Sequence, residues 1–535
     1  MAADVHPVRS ASLPPPAGRL PGWLFAVLLV AALGAATALR VHRLPAESLW
    51  LDEACSVMIA QQPLPDLVGE TAADVHPPLY YVALHYWMPD AGRSEAAVRG
   101  LSVLFGIAGI AAAALLTRRL FGPGTALLAA ALLAASPFHL FHSQQARMYP
   151  LLALAATLSM HAFVALQRRR PSRLATAGYV AATVAMLYTH VYGLFVVAAQ
   201  HLFVGAMWLA SRRVAARFVR RWIVLHGLIA LAFVPWAVVL VQQIIRVEQG
   251  FWIARWPAWL LPYTFVVQTG SWWLAAIVVP LALGAVAVAW WPSARRGDGT
   301  RGRRMATVRT RVGIPAAPLG RLFRGASRDQ WRTLLLVLWL ACPVLLPFAI
   351  SQWTTPIFLP KYTRASAVAL AILAAHGLAR LGRRPLQAAA ALALVGASAV
   401  ALDAYFSKSR NDRWRDAVAR FEQQARTGDV VLFAQPWGQV AFDYYLTRRD
   451  VIERGLPPNL AAIEATARAA VLESAAWGYQ RIWFVVSQTG PLGDLQEQMA
   501  AGYVLRAVER YQGVQLYLFE RSPTEVVTPA TAAAQ

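Results

Sequence analysis

Hydrophobic and polar positions along this chain fall into long blocks instead of the short periods of a water-soluble fold. Apolar runs cover residues near 21–40, 97–117, 124–141, 149–167, 174–190, 192–210, 222–243, 271–291, 332–352, 363–379 and 386–404. Each approaches the ~20 residues that a helix needs to cross ~30 Å of hydrocarbon, so the pattern predicts about eleven transmembrane helices. The first run is not followed by a small-residue cleavage site and reads as a retained span, not a signal peptide. After residue 405 the pattern changes. Short runs such as Val430–Ala434 and Arg481–Val486 read as buried strands and alternate with helical stretches near 412–426 and 459–477, which predicts a separate α/β domain. A shorter helix near 79–88, rich in Tyr and Trp, suits the interface.

Composition supports this division. Of 535 residues, 58% are apolar, too many for a soluble protein with one core. Basic residues outnumber acidic ones by 50 to 27, a balance that raises the question of nucleic acid. The excess sits in short loops between apolar runs, however, which argues for membrane orientation and against nucleic acid as a partner. With the N-terminus inside, the inner loops carry 25 Arg and only Asp298 and Asp329, while residues 42–95 carry eight acids against Arg43 and Arg93. This places the first loop and, after an odd number of spans, the C-terminal domain outside. The expected organisation is an inner tail at 1–20, a membrane module at 21–405 with its first outer loop at 42–95 and a basic inner loop at 292–331, an outer α/β domain at 406–522, and a disordered tail at 523–535. Cys55 and Cys342 fall in different environments, so no disulfide is expected.

Candidate chemistry concentrates in the outer segments. Asp52 and Glu53, in Ser48-Leu49-Trp50-Leu51-Asp52-Glu53-Ala54, form a carboxylate pair just after the first span. The pair suits acid–base work on a membrane-borne substrate, or alternatively the first turn of a helix capped by Ser48. Asp74-Val75-His76-Pro77-Pro78-Leu79-Tyr80-Tyr81 offers His76, as a phosphate donor, as a ligand of a divalent metal together with a carboxylate, or as a structural residue. The polar break Ser136–Pro150 holds Arg147 and Tyr149, and a second break, Tyr188–Gly193, holds His190. Polar groups at such depth line cavities or form tight surface turns. Lys361 is one of only two lysines and precedes Tyr362 and Arg364. Arg147, Lys361 and Arg364 are candidate phosphate-binding cations; the alternatives are snorkelling, ion pairing and interfacial anchoring. His76, Tyr80, Tyr149, His190 and Tyr362 are the candidate substrate-binding set.

Taken together, the Asp-Glu pair, His-Pro-Pro-Leu-Tyr-Tyr, Ser-Gln-Gln-Ala-Arg-Met-Tyr, the many spans and the outer C-terminal domain resemble the GT-C superfamily of lipid-phosphosugar-dependent glycosyltransferases. The resemblance is to bacterial family 39-like relatives of protein O-mannosyltransferases and aminoarabinose transferases, and it covers roughly residues 20–405. It implies a GT-C type polytopic fold in a bacterial inner membrane and transfer of a sugar from a polyprenyl-phosphate donor to an acceptor hydroxyl, with inversion. The acceptor would be a glycan, lipid or protein of the cell envelope. The resemblance also implies that Asp52 is the general base and that Glu53 positions Asp52 or the acceptor. The resemblance makes no cofactor certain; a divalent metal is one reading of His76, where the motif departs from that of aminoarabinose transferases. The alternative function is a transporter or binding protein for a lipid-linked precursor, against which the absence of inverted repeats in the sequence counts.

Overall fold

The computed structural model describes residues 20–168, 170–210, 212–248, 253–290, 326–457, 464–487 and 502–522. The expected inner tail, most of the basic loop 292–331 and the tail from 523 lie outside the described residues. The membrane module opens with α1 (Gly22–Val41), followed by three short helices, α2 (Leu51–Gln61), α3 (Leu64–Ala73) and α4 (Leu79–Ala91). Then come α5 (Glu95–Phe121), α6 (Pro123–Ala134), α7 (Pro137–Ser143), α8 (Tyr149–Leu166), α9 (Arg173–Leu187), α10 (Gly193–Ala210) and α11 (Arg212–Glu248). The module closes with α12 (Tyr263–Thr269), α13 (Trp272–Trp290), α14 (Arg328–Trp353), α15 (Arg364–Arg380) and α16 (Arg384–Phe406).

Every apolar run in the sequence therefore coincides with a helix, but the helices are not equivalent. Among the described residues, eight are long and apolar enough to cross a membrane, and α6 with α7 makes a ninth, bent by 62°. α9, with 15 residues, and α15, with 17, fall short of that test. α15 is also nearly all buried against protein, including Arg364, Ser366 and His376. The eleven expected spans thus fall on twelve helices, of which eight meet the crossing criterion alone and α6 with α7 meets it only as a bent pair.

The bend between α6 and α7 has an identifiable cause. Pro137 at the start of α7 removes a backbone donor, and Ser136 caps the new helix by accepting from the His139 amide. The last carbonyls of α6 lose their helical partners and are taken up by Arg40, buried at the end of α1, which donates to Leu133 O at 3.3 Å and Ala134 O at 3.2 Å. Arg40 also donates to Ser143 Oγ. In this way an irregular backbone is tolerated inside the bundle because protein groups replace the absent water.

The C-terminal domain is an α/β unit, as the pattern predicts. Its five-stranded sheet has the order β2-β1-β3-β5-β4, built from β1 (Val430–Phe433), β2 (Ile452–Gly455), β3 (Arg481–Ser487), β4 (Tyr503–Tyr511) and β5 (Val514–Arg521). β1 pairs in parallel with β2 and β3, whereas β5 pairs antiparallel with β3 and β4. β1 and β3 are buried on both faces, so they read as continuous apolar runs. Helices α17 (Trp414–Gln424) and α18 (Gly438–Tyr445) cover one face, and α19 (Ala465–Ala476) covers the other. The domain does not hang free. Ala54 of α2 packs into the same apolar cluster as Trp414, Phe421 and Phe442. Tyr445 Oη accepts from the Leu49 amide at 2.7 Å, and Arg415 pairs with Glu95 at 2.5 Å.

The tightest helix crossing sets a steric limit. A Cβ added at Gly377 of α15 would lie 1.9 Å from Leu281 O on α13, a backbone atom that cannot turn aside. Gly377→Ala should therefore push α13 and α15 apart and cost about 1–3 kcal/mol. Thermal unfolding of the purified variant in detergent checks this; a melting temperature equal to wild type would show that the crossing adjusts freely.

Candidate functional site

The first turn of α2 carries both carboxylates, and successive helical residues point about 100° apart, so the two face different surroundings. Glu53 points inward and is fully buried. Its Oε1 accepts from Arg99 Nε at 2.8 Å and from the Ala146 amide at 2.8 Å, and its Oε2 accepts from Arg99 Nη2 at 2.7 Å and from Asn411 Nδ2 at 3.4 Å. Arg99 also donates to the carbonyls of Leu44, Glu47 and Ser48, so all five of its N–H groups are used. Glu53 is thus held away from any reacting group. The helix is not capped by Ser48 as its local sequence suggests: Trp50 occupies the cap position without a side-chain bond, and Ser48 Oγ accepts from the Arg415 amide instead.

Asp52 points the other way, and its side chain is 31% exposed. Arg147 Nη2 lies 3.7 Å from its carboxylate, and Arg147 Nη1 donates to the Asp52 carbonyl at 3.0 Å and to Ser56 Oγ at 3.2 Å. Arg147 is buried in the turn between α7 and α8. Behind it, Tyr80 Oη lies 2.9 Å from Ser102 Oγ, which donates to Arg147 O. Tyr80 therefore supports the Arg147 backbone and does not itself face the Asp52 side.

The remaining sequence candidates converge around Tyr149. Arg364 is buried and stacks on the Tyr149 ring, its guanidinium carbon 3.5 Å from the centroid, and its Nε and Nη1 have no partner among the described residues. Tyr149 stacks with Tyr362 at 6.3 Å, and His190 lies 5.8 Å from Tyr149, 5.4 Å from Tyr362 and 5.4 Å from His76. Lys361 is half-buried beside Tyr362. Burial pushes its ammonium below the ordinary lysine value while Asp52 pulls it back up, so the two charges feel each other. Burial, reinforced by Arg147 and His190, holds His76 well below its ordinary value, and the ring is neutral. The Tyr192 amide donates to His190 Nδ1, which leaves the His190 proton on Nε2, a buried atom without a partner.

The arrangement is a carboxylate with three cations around an aromatic and imidazole wall, and the wall is drawn from the α3–α4 loop, the α7–α8 turn, the α9–α10 turn and the α14–α15 loop. Three of its members were not legible as site residues. Arg99 lies within an apolar run, Asn411 lies in the inter-domain segment, and Tyr192, whose Oη donates to Ile357 O, looks like any turn tyrosine. Burial raises Asp74, which Arg147 and Arg246 oppose and neighbouring Asp52 reinforces. As for a metal, no group of three or more His, Cys, Asp or Glu converges among the described residues. The donor set at His76 is an imidazole pair with His190, which is less than a divalent ion requires.

The geometry defines a class: a polytopic membrane protein with a polar site where the short helices α2–α4 meet the bundle and a docked α/β domain, which is the GT-C fold. A sequence model of the dolichyl-phosphate-mannose-protein mannosyltransferase family matches residues 75–239. ArnT from Cupriavidus metallidurans in the apo state superimposes with a TM-score of 0.60 at 16% identity, over 93% of this chain and 98% of that one. The same enzyme bound to undecaprenyl phosphate gives a TM-score of 0.57 at 16% identity, with the same coverage. The oligosaccharyltransferase of Archaeoglobus fulgidus in the apo form gives 0.53 at 13% identity, over 94% of this chain and 75% of that one. No curated protein matches the sequence significantly. The chain is a multi-pass membrane protein of the GT-C fold.

The Glu53–Arg99 pair yields a prediction. Removing one partner leaves the other buried and uncompensated, so Glu53→Gln and Arg99→Gln should each cost about 3–5 kcal/mol. The double variant should cost less than their sum, because the two share one interaction. Chemical unfolding of the purified variants measures this, and strict additivity would show that the pair is not a unit.

Proposed function

We propose that the protein is a membrane glycosyltransferase that moves a sugar from a polyprenyl-phosphate donor to an acceptor hydroxyl at the outer face of a bacterial inner membrane. The observation that carries the reading is the partly exposed Asp52 carboxylate beside Arg147, with the Lys361 ammonium close enough to feel Asp52 and with Arg147 and Arg364 both approaching the Tyr149 ring. Similarity to ArnT bound to undecaprenyl phosphate adds support for the donor class.

Asp52 acts as the general base. It takes the proton of the acceptor hydroxyl as that oxygen attacks the anomeric carbon. The bond from that carbon to the phosphate oxygen breaks, its electron pair leaves with the polyprenyl phosphate, and the configuration inverts. Charge grows on the leaving phosphate, so cations matter more than an acid. Arg147, Lys361 and Arg364 supply them, and Arg364 has unpartnered N–H groups to offer. His76, His190, Tyr149 and Tyr362 bind the sugar or acceptor, and Glu53 positions Asp52 through the backbone of α2. The donor set at His76 gives no reason to route a step through a metal.

Replacing Asp52 with Asn keeps the shape and removes the base, so turnover should fall about 100-fold or more while donor binding persists. Lys361→Met and Arg147→Met should each weaken use of the donor roughly ten- to a hundredfold. The assay offers purified enzyme a polyprenyl-phosphate sugar or the matching nucleotide sugar with a hydroxyl acceptor. Wild-type turnover by Asp52→Asn, or transfer from the nucleotide sugar alone, would overturn the reading.

Sidedness is tested separately. In a background lacking Cys55 and Cys342, a membrane-impermeant thiol reagent should label Glu70→Cys in intact cells and should spare a cysteine placed in the basic loop 292–331. Labelling of that loop would reverse the orientation.

A further inference from the structure

At the end of the bundle away from Asp52, α5, α8 and α9 enclose an open cavity of about 630 Å³. Residues 99 and 119 of α5 are twenty positions apart, so this end lies about 30 Å from the Glu53–Arg99 pair. The cavity follows α9 from Ser172 to Ala185, about 20 Å of helix, and its length is lined mostly by apolar residues that include Leu158 and Leu174, with His161 near Arg119. Leu174 is 83% exposed. Its mouth is different. Arg119 and Arg168 stand there, close enough to repel each other, and among the described residues neither has a carboxylate partner.

Two like charges side by side at the edge of a low-dielectric slab are unfavourable unless an anion joins them. A groove that starts at two cations and runs inward for about the depth of one leaflet matches the shape of a lipid with an anionic headgroup. We propose that this cavity binds an anionic glycerophospholipid of the leaflet on the basic side. Its phosphate sits between Arg119 and Arg168, and one acyl chain lies along α9. The site is independent of the sugar-transfer reading.

The test uses the full chain purified in neutral detergent, with phosphatidylglycerol and phosphatidylcholine of identical chains as probes and native mass spectrometry as readout. Wild type should retain phosphatidylglycerol roughly tenfold better than phosphatidylcholine. Arg119→Gln with Arg168→Gln should abolish the preference, whereas Arg383→Gln with Arg384→Gln, at another basic loop, should leave it intact. Gly178 lines the cavity and has open space where a Cβ would go, so Gly178→Leu fills the groove without a clash and should lower retention with both arginines in place. That variant decides alone if the double arginine variant fails to fold. Equal retention of the two lipids by wild type, an unchanged preference in the Arg119 and Arg168 variant, an equal loss in the Arg383 and Arg384 control, or full retention by Gly178→Leu would each overturn the proposal. So would displacement of the lipid by inorganic phosphate, which has no tail to fill the groove.

Discussion

The buried ion pair between Glu53 and Arg99 fixes the geometry on which the rest of the candidate site depends. Taking two charges out of water is costly, and their attraction offsets the cost only when every remaining donor and acceptor is also satisfied. Here that condition is met. Arg99 places its five N–H groups on the Glu53 carboxylate and three carbonyls of the α1–α2 loop, and Glu53 receives four bonds from three separate segments. One side-chain pair therefore sets the path of residues 44–48, the start of α2, the α7–α8 turn and the beginning of the C-terminal domain.

That fixation explains how adjacent carboxylates acquire different environments. Glu53 is locked inward, and the helical turn leaves Asp52 on the opposite side with a partly open face. Arg147 is held from two directions, by Asp52 and Ser56 in front and by the Tyr80–Ser102 contact behind, so its distance to Asp52 follows from the packing of three helices. Arg364 has no comparable anchor. It rests on the ring face of Tyr149, with Phe138 farther off, and its Nε and Nη1 keep hydrogen-bonding capacity in reserve among the described residues.

Much of the helical framework was legible in the sequence, because a 20-residue apolar block has few readings in a chain this hydrophobic. The strands β1 and β3 were legible for a similar reason, being apolar throughout. What stayed hidden depended on contacts between distant segments. β4 alternates partly buried and exposed positions at the sheet edge and so carries a weaker signal. Arg99 is one cation inside an apolar run, and only its partner 46 residues away explains it. Ser48 has the local signature of a helix cap, yet docking of the C-terminal domain claims its hydroxyl. For the site, Asp52, Arg147, Lys361 and Arg364 were legible as unusual charges in outer segments, and the structure brings them into one region. Tyr80 was legible as a polar aromatic, but its supporting role depends on Ser102, which no local pattern marks.

The docking of the C-terminal domain bears on the order in which the protein is made. Asn411 and Arg415 close over Glu53, Ser48 and Glu95, and Tyr445 holds the Leu49 amide. The ribosome therefore delivers the loop after α1 hundreds of residues before the segment that completes it, although chains generally fold from the N-terminus onward. Until residue 411 has emerged and reached that loop, Glu53 lacks one of its four donors, and until residue 445 follows, the Leu49 amide lacks its acceptor. A nascent chain, or one cut short before the sheet forms, would carry the carboxylate pair in an unfinished setting, so the last-made part of the protein is what finishes the first.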